Sequence, residues 1–162
     1  MVSIPSTTTP TKTHPLHMHF VTRKAHFNAA HRLHNPSKSD EWNEQTYGKC
    51  NYPNWHGHNY EIEVTMAGEP DPETGYVVDL GALKQIIDTH VLEPCDHRNL
   101  NLDVPFLQDI LPSAENLARV FFEQLKSPAE TIASPNVKLY SVVVYETERN
   151  RAEYCPYKVS KL

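Results

Sequence analysis

The 162-residue chain has no disulfide framework: its three cysteines, Cys50, Cys95 and Cys155, are odd in number and form no CxxC pair. That excludes a stapled secreted scaffold and points to a reducing, cytoplasmic setting. A basic excess is also missing. Fifteen Lys and Arg against twenty Asp and Glu leave a net charge of −5, which argues against nucleic acid as a partner. No apolar run nears the roughly 20 residues that span a bilayer, so no membrane partner is expected. No GxGxxG motif marks a nicotinamide site. Residues 1–16, MVSIPSTTTPTKTHPL, carry neither a hydrophobic stretch nor an arginine, unlike a secretory signal or a transit peptide. Their Ser, Thr and Pro content reads as a disordered leader. Residues 17–162 then form one domain, long enough to bury a core without staples.

Histidine is abundant instead. Protonating all ten would carry the net charge from −5 to +5, so imidazole chemistry dominates the response to pH. The periodicity around these histidines predicts the elements. Residues 17–33, HMHFVTRKAHFNAAHRL, read as a strand entering a loop, and residues 34–54 as a long polar connection of the kind that carries function. Residues 55–66 alternate with period two. His56, His58, Tyr60, Ile62, Val64 and Met66 share one face of that strand. Asp79 caps a predicted helix with Leu83, Ile86, Ile87 and Val91 at helical spacing. Ser113 caps a second, with Leu117, Val120, Phe121 and Leu125 as its stripe. Residues 94–112, polar and broken by proline, suit neither element. Two further strands follow in 137–148 and 151–159. The order ββααββ predicts an α+β fold: a four-stranded antiparallel sheet with two helices on one face.

His56 and His58 open a strand two residues apart, so both imidazoles project from one face about 6.6 Å apart at the backbone. They can converge on one metal ion, and the glycine between them admits another group closely. His31, just after the first strand, is the preferred third donor. His26 has the wrong parity beside an inward Phe27, and His34 lies in the polar loop. Three histidines with a fourth position open describe a catalytic zinc site. Cys50, six residues before His56, is open to three roles: a fourth ligand, a nucleophile or a general base. Near a dication its thiol should ionise more readily than a free thiol of pKa about 8.5. Asp96 and His97 form an adjacent acid–imidazole pair. By themselves these two read more simply as a helix-terminal acid and a surface histidine.

Taken together, FNAAHRL, GKCNYPNWHGHNYEIEV, VVDLGALK, CDHRNLNLDVPF, SAENLA and VVVYETE resemble, in order, the 6-pyruvoyl-tetrahydropterin synthases over about residues 18–157. The resemblance implies the tunnelling (T) fold, in which three subunits form a barrel and two trimers stack as a homohexamer with active sites between subunits. It implies zinc held by His31, His56 and His58. Cys50 would be the proton-abstracting thiolate, Asp96 and His97 would complete a triad from a neighbouring subunit, and Glu146 would anchor the pterin ring. The implied reaction takes 7,8-dihydroneopterin triphosphate to 6-pyruvoyl-tetrahydropterin with loss of triphosphate, a step of tetrahydrobiopterin synthesis. Glu146 continues the apolar strand face of Val142 and Val144, so its carboxylate needs a partner such as the pterin N–H edge. With three histidines held by zinc, full protonation of the rest would reach only +2.

The chain departs from the family pattern at Trp55, where a small residue is expected, and at Ala114, where threonine is frequent. Arg23, Lys24, Arg32 and Arg98 are candidates for the triphosphate. Three other readings compete. A 6-carboxy-tetrahydropterin synthase of queuosine synthesis would share the zinc and triad residues. A cysteine hydrolase would use Cys50, His97 and Asp96 and survive chelation. A structural metal module would tolerate loss of Cys50, although structural zinc sites are normally closed.

Overall fold

The computed structural model describes residues 18–157, so the expected leader over residues 1–16 lies outside the described residues. Two long strands set the frame. β1 (His19–His31) and β2 (His56–Gly68) pair antiparallel without interruption, from His19 opposite Gly68 to His31 opposite His56. Residues on β2 alternate as the pattern predicts: Tyr60, Ile62, Val64 and Met66 are buried, while Gly57, Asn59 and Glu61 are exposed. A run of β-branched and aromatic residues suits this half-buried pleated surface.

Between them residues 34–54 hold a short helix, α1 (Asp40–Tyr47), which the sequence reading left as loop. It has no apolar stripe, and Asn43 is its one buried residue. Ser39 caps it by accepting from the Trp42 amide at 3.2 Å, and Gly48 ends it with φ +50. α2 (Leu80–Ile87) starts at Asp79, whose carboxylate accepts from the Gly81 and Ala82 amides. The rod continues through a π-helical turn, Asp88–Leu92, and a last turn, Glu93–Cys95. α3 (Ala114–Thr131) is capped by Ser113 and continues past the predicted stripe, through Pro128, to bury Ala129. β4 (Lys138–Thr147) and β5 (Asn150–Tyr154) form the closing hairpin.

The sheet corrects the expectation of four antiparallel strands: it has five, in a mixed arrangement. After Cys95 the chain falls back on the free edge of β1, where Arg98 and Asn99 pair parallel with Ala29 and Ala30 as a two-residue strand, β3. The sheet order is β3-β1-β2-β4-β5. Two residues are too few to carry a period, so nothing in residues 94–112 announced this strand.

α2 and α3 cover one face, as expected for this class. Leu83 and Ile87 from α2 and Leu117, Phe121 and Leu125 from α3 pack on Phe27, Ile62, Val64, Val142 and Val144. Each such fully buried side chain contributes about 1.5–3 kcal/mol. Among the described residues, no helix is long and apolar enough to cross a membrane.

Candidate active site and metal centre

The uninterrupted register of β1 and β2 brings the C-terminal end of one strand beside the N-terminal end of the other. His31 therefore lies opposite His56, and His58 opposite Ala29, all on the helix-covered side. His31 is fully buried, and its Nδ1 donates to the Pro112 carbonyl at 2.9 Å. A carbonyl only accepts, so the proton sits on Nδ1 and the Nε2 lone pair is left free. That Nε2 lies 3.0 Å from His56 Nε2. The three ligand nitrogens of His31, His56 and His58 fall within 4.8 Å of one another.

The electrostatics match this arrangement. Burial lowers His31 to about 4, and it lowers His58 as well, so both rings are neutral near pH 7 and present lone pairs. His56 Nδ1, His58 Nε2 and the Tyr60 hydroxyl are buried without a hydrogen-bond partner among the described residues. Buried polar atoms of this kind ordinarily have one. Imidazoles converging on one point, with unpartnered nitrogens on His56 and His58, fit a cation. The sequence expectation for these three residues therefore meets a built cluster.

Glu146 joins it. A register shift between Tyr145 and Thr147 at the end of β4 marks the point where that strand leaves regular pairing. Glu146 Oε1 comes to 3.4 Å from His31 Nε2 and 3.9 Å from His58 Nε2. With the His31 proton on Nδ1, its Nε2 offers the carboxylate no hydrogen, so Glu146 and the histidine lone pairs face one another in the arrangement a cation would bridge. β2 and β4 pair only from Glu61 onward, which leaves the His56–Tyr60 edge of β2 open. A cleft of about 680 Å³ occupies that gap, with His58, Tyr60, Glu146 and Glu148 among its walls. Its size is within the range of small-molecule sites.

Cys50 sits half-buried in a tight turn, Gly48–Asn51, between α1 and β2. Burial, and then the charge of Glu146, push its thiol up from the ordinary value. The expected ease of ionisation concerned a thiol beside a dication; in the metal-free chain burial first, and Glu146 second, act in the opposite sense.

Asp96 and His97 are more than a helix-terminal acid and a surface histidine. Asp96 Oδ1 accepts from the Asn28 amide at 2.8 Å, and Oδ2 accepts from His97 Nδ1 at 2.8 Å. The Asn28 amide, then His97, hold the Asp96 carboxyl below its usual range. His97 has φ +56 and its amide donates to the Asn28 carbonyl at 2.6 Å. The imidazole itself is 77% exposed, on the sheet end beside Asn59 and Arg98. Neither residue makes a hydrogen bond or ion pair with Cys50 among the described residues. The structure therefore brings together His31, His56, His58 and Glu146 as one group, and Asp96 and His97 as another.

Two supporting residues escaped the sequence reading. Asn28 fixes Asp96 through its backbone amide, and Pro112 orients His31 through its carbonyl; main-chain groups leave no trace in residue type. Tyr60 was detectable, since it shares parity with His56 and His58. Trp55 adopts φ +66, a conformation that favours glycine, which explains why a small residue is expected there.

The chain is similar to known proteins over most of its length. Residues 20–156 match the family model of 6-pyruvoyl tetrahydropterin synthase. The human 6-pyruvoyl tetrahydrobiopterin synthase is 42% identical over 134 residues, covering 83% of this chain and 89% of the relative. A Caenorhabditis elegans protein described as a putative 6-pyruvoyl tetrahydrobiopterin synthase is 46% identical over 128 residues, covering 79% and 88%. The solved 6-pyruvoyl tetrahydropterin synthase of the same nematode superposes with a TM-score of 0.78 at 40% identity, over 88% of this chain and 98% of that one. The chain belongs to the 6-pyruvoyl tetrahydropterin synthase family.

Proposed function

We propose that this chain is a zinc-dependent lyase that converts 7,8-dihydroneopterin triphosphate to 6-pyruvoyl-tetrahydropterin and inorganic triphosphate, in tetrahydrobiopterin synthesis. The observation that carries the reading is the convergence of three imidazoles, His31, His56 and His58, beside Glu146 in a chain of this family. Zinc at these histidines supplies Lewis acidity toward the hydroxyl and carbonyl oxygens of the substrate side chain, which acidifies the adjacent C–H bonds.

The chain's own residues do the rest. Cys50 takes the proton as a thiolate, and the positive charge held by the histidines opposes the upward push of burial and Glu146. Asp96 orients His97 through Nδ1, leaving Nε2 to relay protons with Cys50. Glu146 accepts two parallel N–H bonds from the 2-amino and N3 edge of the pterin. Side-chain carbons are oxidised as the ring is reduced, so the reaction balances without an outside oxidant.

His97 is exposed, bonded to Asp96, and without a bond to Cys50 in its own chain. This supports a site shared between copies, in which Cys50 of one subunit meets Asp96 and His97 of another. The edge strands β3 and β5 offer pairing surfaces for a three-subunit barrel, and two such rings make the proposed homohexamer. The unpaired thiols of Cys50, Cys95 and Cys155 suit a reducing cytoplasm.

Incubation with 7,8-dihydroneopterin triphosphate, followed by mass spectrometry of the pterin, tests the reaction. A pyruvoyl product that disappears on chelation and returns with zinc is expected. A carboxy-tetrahydropterin product, or full turnover after zinc removal, overturns the reading. Cys50→Ala should retain zinc while losing about 10²–10⁴ of the rate. Sedimentation showing only a monomer at micromolar concentration would remove the shared-site model.

A further inference from the structure

Arg32 follows the metal-cluster residue His31 directly and is one of the basic residues open to a role in binding triphosphate. Its contacts point elsewhere. Nε donates to the Asn51 carbonyl at 2.8 Å and Nη2 to Asn51 Oδ1 at 2.9 Å, a two-pronged grip on one residue. His34 Nδ1 donates to the same Oδ1 at 2.9 Å, and the Leu33 amide donates to the Cys50 carbonyl at 2.8 Å. Four hydrogen bonds thus tie residues 32–34 to Cys50 and Asn51. The arginine is itself anchored, because Asn101 Oδ1 accepts from its amide and Asn101 Nδ2 donates to its carbonyl, each at 3.0 Å. Asn51 is 6% exposed, so these bonds are shielded from water.

We infer that Arg32 is a positioning residue for Cys50 and not a ligand of the triphosphate. It couples the turn that carries the thiol to the end of β1 that carries His31, so that the distance between thiol and metal cluster is set by one guanidinium. The planar fork is what the geometry requires: two donors held at fixed spacing meet the carbonyl and carboxamide oxygens of a single residue. A lysine supplies the same charge from one freely rotating nitrogen and lacks the rigid two-nitrogen fork that fixes these bonds. This inference rests on the reading of Cys50 as the base, and its test separates the two.

The experiment compares wild type with Arg32→Lys, Arg32→Ala, Asn51→Ala and Asn51→Asp. Each is assayed for zinc content, kcat and KM with 7,8-dihydroneopterin triphosphate, and the rate of Cys50 alkylation by iodoacetamide, read on its peptide by mass spectrometry. Misplacement of a reacting group by about 1 Å costs roughly 10²-fold. Arg32→Lys, Arg32→Ala and Asn51→Ala are therefore expected to lose about 10² in kcat while KM stays within about threefold. Their half-buried thiol should alkylate faster than in wild type. Asn51→Asp keeps both acceptor oxygens and should stay near wild type in rate and alkylation, which shows that the site folds. All five proteins should hold equal zinc. A raised KM with kcat kept in Arg32→Lys would make Arg32 a phosphate ligand and overturn the inference. Equal alkylation rates in wild type and Arg32→Lys would overturn it too. If wild type makes no pyruvoyl product, the lyase reading falls, and the alkylation contrast alone decides the clamp.

Discussion

His31 has two nitrogens with different duties, and two substitutions separate them. Nδ1 donates to the Pro112 carbonyl at 2.9 Å, while Nε2 faces His56 at 3.0 Å. Asparagine places its Nδ2 near the position of Nδ1 and has no atom at Nε2. Glutamine reaches toward Nε2 and gives up the Pro112 bond. In chelated protein, His31→Asn should keep its unfolding free energy within about 1 kcal/mol of wild type. His31→Gln should lose about 1–3 kcal/mol, because it leaves a buried carbonyl without its donor. Zinc reverses the ranking of information. With free zinc at a hundredfold its dissociation constant, wild type gains about 2.7 kcal/mol. Loss of one of three donors weakens binding by at least the roughly hundredfold upper range seen for lost supporting groups, which cuts that gain to about 0.4 kcal/mol. Urea unfolding followed by circular dichroism, with and without chelator, measures both quantities. A zinc-induced gain in His31→Asn equal to that of wild type would refute the assignment of Nε2 as a ligand atom. A loss above about 2 kcal/mol in chelated His31→Asn would refute the reasoning on Pro112.

Glu146→Gln should weaken binding of the pterin ring by about 10- to 150-fold, the equivalent of one charge-assisted hydrogen bond of about 1.5–3 kcal/mol. Calorimetry with a non-reacting pterin measures it, and unchanged affinity would remove Glu146 from the ring site. In the metal-free protein, His31 has a folded value of about 4, below the unfolded 6.5. Its contribution to stability is therefore complete above pH 6.5 and lost as pH falls toward 4. The maximum slope is about 1.4 kcal/mol per pH unit, and His58 adds in the same sense. Urea midpoints of chelated protein at pH 7.5 and 5 should differ accordingly; equal midpoints would contradict the buried neutral imidazole. Trp55→Gly relieves a left-handed conformation that costs an L-residue about 1–2 kcal/mol, against about 0.5–1 kcal/mol of added chain entropy. A net gain of up to about 1.5 kcal/mol is expected in thermal or urea unfolding. A loss would mean that the indole's packing outweighs the strain.

What could be read from sequence divides along one physical line. Side chains that act through periodicity were legible: the alternation from His56 to Met66 names the inner face of β2, and Asp79 and Ser113 announce both caps. His31 followed from parity with Phe27, and the register that sets it opposite His56 is the direct result of two unbroken 13-residue strands. Groups that act through the main chain or through very short pairing were not legible. β3 consists of two residues, α1 is built on a serine cap and a buried asparagine without an apolar stripe, and Asp96 is held by an amide of Asn28. The surroundings of Cys50 divide in the same way. The sequence puts the thiol near metal ligands, but only the bend of β4 after Tyr145 reveals that Glu146 reaches the same point. The Glu146 carboxylate adds to burial in raising the thiol of the metal-free chain, and in the proposed lyase it would also be the acceptor for the pterin edge. A cation on the histidines offsets the first effect without removing the second. In the proposed lyase the base would become competent only with the metal site filled, which would couple metal occupancy to proton abstraction through the position of Glu146.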